Sequence, residues 1–315
     1  MPIKANTLRR SFRIALPATS ANLGPAFDAA ALAMDFYIKI KASPADEFSI
    51  AASGRDREIC GRVEDHLILD TYRDVLAKAG KAPAPLSLRI ANDIPICKGC
   101  GSSAAARLAG IAMAVHFGRL GWTDAQIIAE ASRREHHPDN ASACWLGGLT
   151  VARCSGLTED AADVQVVFVR PKGKWPLLLA VPDKSLPTEE ARCVLPAQYS
   201  RADAVTNLQN SMLLLAAFTQ GRPDLLTAAL NDRIHQPYRA RLCPLLPCLQ
   251  ELKGKDGILG VALSGAGPSV LMFLDPRASR QKVRRIVAAH LTRSLLAAEL
   301  LATSITLRGA RSSRF

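Results

Sequence analysis

A glycine- and serine-rich segment, IPICKGCGSSAAA from Ile94 to Ala106, leads directly into a run of small and apolar residues. The run from Ser103 to Phe117 is apolar on almost every side of a helix, which predicts a buried helix. Glycines allow a backbone to approach a ligand closely, and the first turn of a helix presents unpaired N–H groups. The segment therefore predicts a phosphate site, with a simple serine helix cap as the alternative.

Two established phosphate motifs can be compared with this segment. A Walker loop requires lysine after its last glycine, and Gly101 is followed by Ser102, so the class of P-loop NTPases is excluded. The stretch from Gly99 to Ala104 does fit the dinucleotide pattern G-x-G-x-x-A, and Asp124 follows 23 residues after Gly101. Asp124, however, falls in the first turn of a predicted helix rather than at the end of a strand, so this match is weak.

The size and composition of the chain limit its class. It has 315 residues, enough for two domains, and its content of 49% hydrophobic and 22% charged residues is that of ordinary globular proteins. The longest apolar runs, Met212 to Phe218 and Trp175 to Val181, are too short to span a bilayer. Eight cysteines without a secretory leader are typical of reduced thiols. We therefore expect a cytoplasmic protein with no membrane partner.

The net charge of +12 is concentrated near the C-terminus. The stretch from Arg277 to Phe315 contains nine basic residues and a single acidic one, Glu299. Such a stripe is one feature of nucleic-acid-binding proteins, but no aromatic residues for base stacking are interleaved with the basic ones. A solvated helix face is the favoured interpretation, so we expect no nucleic-acid partner.

The apolar periodicity predicts strands and helices without a regular βαβα alternation, which is typical of an α+β protein. The predicted strands are Arg13–Ala15, Phe36–Ile40, Leu86–Ile90, Val164–Val169, Leu177–Val181, Val261–Leu263 and Val270–Leu274, with a last strand near Ile305. The predicted helices are Ser103–Phe117, Thr123–Glu135 with a capping box to Gln126, Ala202–Thr219, Pro223–Leu230 and a basic helix after Leu274. The pattern changes near residue 160, which predicts domains over residues 1–160 and 161–315.

Two more small-residue segments enter apolar elements elsewhere in the chain. Pro17 to Asp28 has the sequence PATSANLGPAFD, and Ala262 to Ser269 has the sequence ALSGAGPS. Three such segments, each leading into an apolar element in a different part of the chain, are hard to explain as simple turns. We therefore predict that they are loops shaped around one ligand.

The three segments together resemble the signature motifs of the GHMP kinases. Pro17 to Pro25 is similar to the motif Pro-x-x-x-Ala-Asn-Leu-Gly-Pro, Pro95 to Ala104 to the phosphate loop Pro-x-x-x-Gly-x-Gly-Ser-Ser-Ala, and Ser264 to Ser269 to the late turn Ser-Gly-x-Gly-Pro-Ser. Within that superfamily the chain is most similar to the homoserine kinases. The stretches that carry this likeness are Ala21–Asp28, Glu135–Asn140, Leu146–Gly148 and Asp232–Arg239.

This resemblance implies a fold and an activity. The family fold joins an N-terminal ATP-binding domain, similar to that of ribosomal protein S5, to a C-terminal ferredoxin-like domain. The implied reaction transfers the γ-phosphoryl group of ATP, with Mg²⁺, to the hydroxyl of L-homoserine, giving O-phospho-L-homoserine for threonine biosynthesis. Whether the chain forms a homodimer is left open.

The resemblance also implies roles for individual residues. The ATP phosphates would be bound by the loop residues Pro95, Lys98, Gly99, Cys100, Gly101, Ser102, Ser103 and Ala104, with His66 beside the adenine and with Ser103 and Glu135 as Mg²⁺ ligands. The amino acid would be bound by Asp28, His137, Arg192 and Arg239, and the catalytic positions would be Asn22 and Asn140. Two arginines suit a carboxylate and an aspartate suits an ammonium group. Whether a side chain serves as a general base is left open.

Some positions depart from the family pattern. Cys100 replaces a leucine, Ala26 replaces a glycine, and His66 replaces an asparagine that contacts adenine. His136 replaces a glycine and creates a histidine pair that could bind a transition metal, although one functional and one solvent-facing histidine is the favoured interpretation.

Cys97 and Cys100 form a C-x-x-C pattern, which we interpret as two ordinary thiols because no second such pair completes a zinc site. Two alternative functions remain open. One is a GHMP kinase that acts on another small alcohol, and the other is a non-catalytic nucleotide- or RNA-binding protein of the same fold.

Overall fold

The computed structural model describes residues 11–155 and 163–313, which form two β-sheets with helices packed against them. The strands are β1 Phe12–Asn22, β2 Ala26–Pro44, β3 Ser49–Gly54, β4 Leu86–Asn92, β5 Leu149–Ser155, β6 Asp163–Val169, β7 Pro176–Val181, β8 Ile258–Leu263, β9 Val270–Leu274 and β10 Glu299–Ser304. The helices are α1 Arg57–Cys60, α2 Leu67–Lys78, α3 Ser102–Gly118, α4 Asp124–Glu135, α5 Asp139–Leu146, α6 Thr188–Cys193, α7 Arg201–Gln220, α8 Leu226–Ala229, α9 Gln236–Arg239, α10 Leu245–Gln250 and α11 Arg280–Arg293. Short 3₁₀ helices cover Pro223–Leu225 and Ala310–Ser313.

The first sheet has six strands and is organised around β2, which is 19 residues long. β1 pairs antiparallel with β2 along its whole length, whereas the other edge of β2 pairs first with β5 and then with β4. β3 is parallel to β4, and β6 is antiparallel to β5. Helices α2, α3, α4 and α5 pack with one another and on this sheet, so the N-terminus of α3 is held next to β1.

The second sheet has the strand order β10-β7-β9-β8, with every neighbouring pair antiparallel. Along the chain its elements run strand, helices, two strands, helix, strand, which is the ferredoxin-like arrangement that the resemblance implies. The two-domain GHMP kinase fold and the α+β class are thereby confirmed. Val283, Val287 and Leu291 bury one face of α11, while the basic residues of the helix are exposed, as expected for a solvated face.

Most predicted elements are present, with longer bounds than predicted. The predicted helix from Ser103 is α3, the capping box of Thr123 and Gln126 begins α4, and the predicted apolar pair is β8 and β9. The predicted helix Pro223–Leu230 is instead a 3₁₀ turn followed by the four residues of α8. The last strand ends at Ser304, and Ile305 forms only an isolated bridge to Met34 of β2.

The segment from Pro17 to Asp28 was predicted to be a loop, and this prediction is wrong. It consists of the end of β1, a three-residue turn and the start of β2. The polar side chains of Thr19, Ser20 and Asn22 are buried in these strands, and Asn22 is hydrogen-bonded to the backbone of Gly265 and of Asp28. Low hydrophobicity therefore did not indicate a loop here.

The predicted domain boundary at residue 160 lies outside the described residues. β6, which begins at Asp163, pairs with β5 and so belongs to the first sheet, and the change of sheet falls between Val169 and Pro176. The chain also returns to the first sheet after β10, where the amide of Thr306 donates to the carbonyl of Ala33. The limits 1–160 and 161–315 remain a prediction. In the part of the chain that the structure describes, no helix has the length and apolar character that crossing a bilayer requires.

Candidate active site

The predicted phosphate loop ends at the N-terminus of α3, where the backbone amides are open. Gly101 precedes the helix in a left-handed conformation with φ of 69°, and no side chain caps the first turn. A side chain at Gly101 would collide with the hydroxyl of Thr19, and one at Gly99 would collide with the carbonyl of Ser264. Glycine is therefore required at both positions. The unpaired amides and the dipole of this 17-residue helix form an anion site.

The three small-residue segments contact one another directly. The amide of Thr19 donates to the carbonyl of Cys100 at 3.0 Å, and the hydroxyl of Ser264 donates to the carbonyl of Gly99 at 2.7 Å. The side chain of Asn22 donates to the carbonyl of Gly265 and accepts from the amide of Asp28, both at 2.9 Å. Both ends of this amide are bonded to backbone, so Asn22 holds the late turn and Asp28 in place; a catalytic role for it remains a prediction.

A cavity of about 300 Å³ lies between these segments and the helices around them. Twelve of the sixteen predicted site residues line it, namely Asn22, Asp28, Gly99, Cys100, Gly101, Ser102, Ser103, Glu135, His137, Asn140, Arg192 and Arg239. The other four lie outside it. Pro95 and Ala104 are buried behind the loop, Lys98 donates to the carbonyl of Asp183, and His66 lines a neighbouring pocket.

One wall of the cavity carries a paired charge. Asp28 is the third residue of β2 and has a φ of 53°, and its two carboxylate oxygens accept from the two terminal nitrogens of Arg192, on α6, at 2.8 and 3.0 Å. This is the bidentate geometry in which guanidinium and carboxylate interact most strongly. Each group is about one-third exposed, so an arriving ligand can reach both. The pair therefore offers a carboxylate that can bind a cationic group and, beside it, a guanidinium that can bind an anionic group.

Beside this pair lies a buried guanidinium, that of Arg239 on α9. Its side chain is only 1% exposed and donates to the carbonyl of Ala191 at 2.9 Å and to Nδ1 of His235 at 3.1 Å. Burial, followed by the nearby charge of Arg192, lowers the pKa of Arg239 to about 10, which still leaves it charged at neutral pH. None of the ion pairs in the described part of the chain gives Arg239 a carboxylate partner. A buried cation without an anion is costly, so the site favours binding a carboxylate.

His137 and Asn140 are positioned by the first turn of α5. Asp139, buried at 1% exposure, accepts from Nδ1 of His137 at 2.6 Å and from the amide of Asn140 at 2.6 Å. Burial by itself lowers the pKa of His137, but the charge of Asp139 and its hydrogen bond outweigh burial and raise that pKa to about 9. With this raised pKa, His137 lines the cavity as an imidazolium, in addition to the guanidinium groups of Arg192 and Arg239.

Glu135 and Ser103 meet at the cavity edge. The hydroxyl of Ser103 donates to Oε1 of Glu135 at 2.7 Å, and Nε of Arg107 donates to the same oxygen at 2.6 Å. Oε2 takes part in neither bond. A carboxylate and a hydroxyl at the end of a phosphate loop are oxygen ligands of the kind that Mg²⁺ prefers, so these two residues fit that ion.

A second group with metal-like spacing comprises Asp28, His137 and Asp139, whose ligand atoms lie within 4.8 Å of one another. Arg192 already neutralises Asp28, and His137 already pairs with Asp139, so the group is an ion-pair cluster rather than a cation site. His136 is exposed at the C-cap of α4, which leaves one buried and one solvent-facing histidine, as expected.

The neighbouring pocket of about 450 Å³ is mostly apolar and shares Cys97, Ser102 and Ser103 with the first cavity. His66 lies on its wall, 8% exposed, and donates from Nε2 to the carbonyl of Cys60 at 3.2 Å. Burial lowers the pKa of His66, so it is neutral, and its Nδ1 has no hydrogen-bond partner.

The cysteines of the phosphate loop are not paired. All eight cysteines lie in the described residues and are free thiols; Cys97 is exposed and Cys100 is buried. Both are unpaired thiols, as predicted, and burial raises the pKa of Cys100 to about 12, which makes its thiol unreactive.

Several residues of the site were not predicted. Thr19, Asp139 and Arg107 contact predicted residues, and the segment from Ser185 to Thr188 covers one side of the cavity. Asp139 could have been inferred from the preference for acidic residues in the first turn of a helix, but α5 itself was not predicted.

The buried His235 predicts a pH-dependent stability. It donates from Nε2 to the carbonyl of Gly24 at 2.8 Å and faces both Asp232 and Arg239. Burial is the main cause that lowers its pKa to about 4. The unfolded chain, with a histidine pKa near 6.5, binds the extra proton first as the pH falls, so the free energy of unfolding is expected to drop by about 2 kcal/mol from pH 7 to pH 4.5.

Urea unfolding of the unmodified protein and of the variant His235→Gln at both pH values measures this drop. The variant lacks the titrating group and is expected to lose less stability over the interval. The pKa of His137 is raised to about 9, so its contribution to stability is complete below about pH 6.5 and changes mainly at higher pH. An equal loss in both proteins would contradict the assignment to His235.

Comparisons with known proteins agree with this geometry. Residues 66–148 match the family model of the GHMP kinases N-terminal domain, and residues 214–293 match that of the GHMP kinases C-terminal domain. The homoserine kinase of Solibacter usitatus is 43% identical to this chain over 84% of this chain and 85% of its own length. The homoserine kinase of Deinococcus radiodurans is 35% identical over 93% and 94%. The crystal structure of homoserine kinase from Cytophaga hutchinsonii has a TM-score of 0.77 at 20% identity, covering 98% of this chain and 99% of that one, which establishes the shared fold.

Proposed function

This chain belongs to the GHMP kinase family, and from that membership we propose that it is a homoserine kinase, which transfers the γ-phosphoryl group of ATP to the hydroxyl of L-homoserine. The product is O-phospho-L-homoserine, an intermediate of threonine biosynthesis.

One observation carries the choice of acceptor: the Asp28–Arg192 pair and the buried Arg239 lie in the same cavity as the phosphate loop. An α-amino acid carries an ammonium and a carboxylate group on one carbon. Its ammonium group suits Asp28, and its carboxylate suits the guanidinium groups of Arg192 and Arg239. Binding the zwitterion would therefore replace the Asp28–Arg192 ion pair by two ion pairs with the ligand. An acceptor without these groups would leave the charge of Arg239 without an anion.

The reaction requires a new bond between the acceptor oxygen and the γ-phosphorus, while the bond from the γ-phosphorus to the bridging oxygen of ADP breaks. The hydroxyl proton is released to solvent, so the products are O-phospho-L-homoserine, ADP and a proton. Catalysis of phosphoryl transfer depends mainly on alignment and on neutralising charge. The open amides of α3 stabilise the phosphate charge, and Asn140 lies beside the phosphate loop on the acceptor side.

Ser103 and Glu135 would hold Mg²⁺ in this proposal. The ion would neutralise charge on the phosphate oxygens. The mostly apolar lining of the neighbouring pocket, which shares Ser102 and Ser103 with the phosphate loop, supports its assignment to adenine, with His66 on its wall. The eight free thiols support a cytoplasmic location.

A coupled assay of ADP release tests the proposal, with L-homoserine, L-threonine and mevalonate as acceptors. We expect kcat/KM to be at least about 10-fold higher for L-homoserine than for mevalonate, because mevalonate has no ammonium group for Asp28. Mevalonate as the preferred acceptor would overturn the choice of homoserine while leaving a GHMP kinase. No ADP release above background with any acceptor, together with tight RNA binding that falls steeply with salt, would instead favour the non-catalytic alternative.

A further inference from the structure

Thr19, a residue of β1, is bonded to both halves of the site at once. Its side chain is fully buried. Its amide donates to the carbonyl of Cys100 in the phosphate loop at 3.0 Å, and its hydroxyl donates to Oδ1 of Asn140, on α5, at 2.6 Å. One residue thus connects the loop on the ATP side with the side chain on the acceptor side.

The turn of the phosphate loop packs directly on this connection. A side chain at Gly101 would collide with the hydroxyl of Thr19 and would lie 3.2 Å from Oδ1 of Asn140. The loop therefore cannot shift toward Asn140 without displacing the bond between the two side chains. The distance between loop and Asn140 is set by Thr19.

The same bond decides which end of Asn140 faces the cavity. Its oxygen Oδ1 is occupied by the hydroxyl of Thr19, and its backbone amide is bonded to Asp139. The group left for a ligand is the –NH₂ of the side chain, which is a hydrogen-bond donor. The oxygen of an acceptor hydroxyl would accept a hydrogen bond from the –NH₂ group of Asn140. The proton of that hydroxyl would then point away from Asn140.

We propose that Thr19 is a positioning residue for phosphoryl transfer: it fixes Asn140 with its –NH₂ group toward the acceptor oxygen and at a set distance from the phosphate loop. This inference rests on the proposed function. Thr19 is fully buried and is not one of the residues that line the cavity, so we expect its loss to act on alignment rather than on binding. Misplacement of reacting groups by about 1 Å can cost on the order of 100-fold in rate.

The test uses Thr19→Val, which keeps the shape of the side chain and removes the hydroxyl, together with Thr19→Ser, which restores the hydroxyl. We expect Thr19→Val to lower kcat by roughly 10- to 100-fold while the KM values for ATP and L-homoserine change less than about threefold. Thr19→Ser is expected to recover most of kcat. We also expect Thr19→Val to release more ADP per phosphohomoserine formed, because a misaligned acceptor competes less well with water.

Ser20→Ala is the matched control. Ser20 is the next residue of β1, is fully buried, and has a hydroxyl without a hydrogen-bond partner, so its removal is expected to leave kcat within twofold. Thermal unfolding of each variant checks the fold. A kcat for Thr19→Val within twofold of the unmodified protein would overturn the inference, as would a loss that Thr19→Ser does not recover. If the unmodified protein fails to phosphorylate L-homoserine in the same assay, the proposed function fails instead.

Discussion

Glu135→Gln is expected to lower kcat by about 100- to 1000-fold, the range seen when a group that stabilises transition-state charge is removed. Glutamine has the shape of glutamate and can still accept from Ser103, but it lacks the negative charge with which a carboxylate binds Mg²⁺ strongly. The Mg²⁺ concentration for half-maximal activity is expected to rise in parallel. Steady-state kinetics over a Mg²⁺ titration measures both quantities.

Glu130→Gln provides the control on the same helix, α4. Glu130 pairs with Arg133 and Arg134 and does not line the cavity, so its replacement removes a carboxylate from α4 without touching the proposed ion site. Its kcat and Mg²⁺ dependence are expected to stay within about threefold of the unmodified protein. Equal behaviour of Glu130→Gln and Glu135→Gln would exclude Glu135 as a metal ligand.

Arg239→Ala is expected to raise the KM for L-homoserine by about 30-fold or more, since loss of one partner of a buried, hydrogen-bonded charge pair costs roughly 2–5 kcal/mol. The KM for ATP is expected to change little, because Arg239 lies on the acceptor side of the cavity. Arg239→Lys keeps the charge but loses the two-pronged guanidinium, so an intermediate KM is expected. Kinetics with each substrate varied in turn separates the two KM values.

Arg241→Ala serves as the control, because Arg241 is an exposed arginine two residues further along the chain. Thermal unfolding should accompany these measurements, since Arg239 also holds the carbonyl of Ala191 and lies 5.3 Å from the ring of Phe27. An unchanged KM for L-homoserine in a folded Arg239→Ala protein would remove this residue from the binding site.

The local sequence predicted those parts of the fold that depend on nearest neighbours. The capping box at Thr123 is a local hydrogen-bond pattern and occurs as predicted, and the apolar run after Gly101 is a buried helix. The segment Pro17 to Asp28 was misjudged because two of its polar side chains have partners far away in sequence, Asn140 for Thr19 and Gly265 for Asn22. Burial on both faces also removed the alternation that would have revealed the end of β1.

In the candidate site, too, the local sequence predicted some features and the tertiary structure was needed for others. The motifs alone predicted the phosphate loop, and twelve predicted residues do line one cavity. Thr19 and Asp139 lie within the quoted motifs, but the motifs could not reveal their roles, because each acts through a hydrogen bond to another side chain. They also could not show that Asp28 and Arg192, 164 residues apart, form a bidentate pair.

The amino-acid sequence by itself determined the family, the glycines that shape the loop and the chemical types of the site residues, because motifs and turn conformations are local properties. Only the tertiary structure decided the raised pKa of His137, the burial of Arg239 without a salt-bridging carboxylate and the orientation of Asn140. These three properties depend on burial and on partners from separate elements, and both arise only when β1, α3, α5 and α9 are packed together.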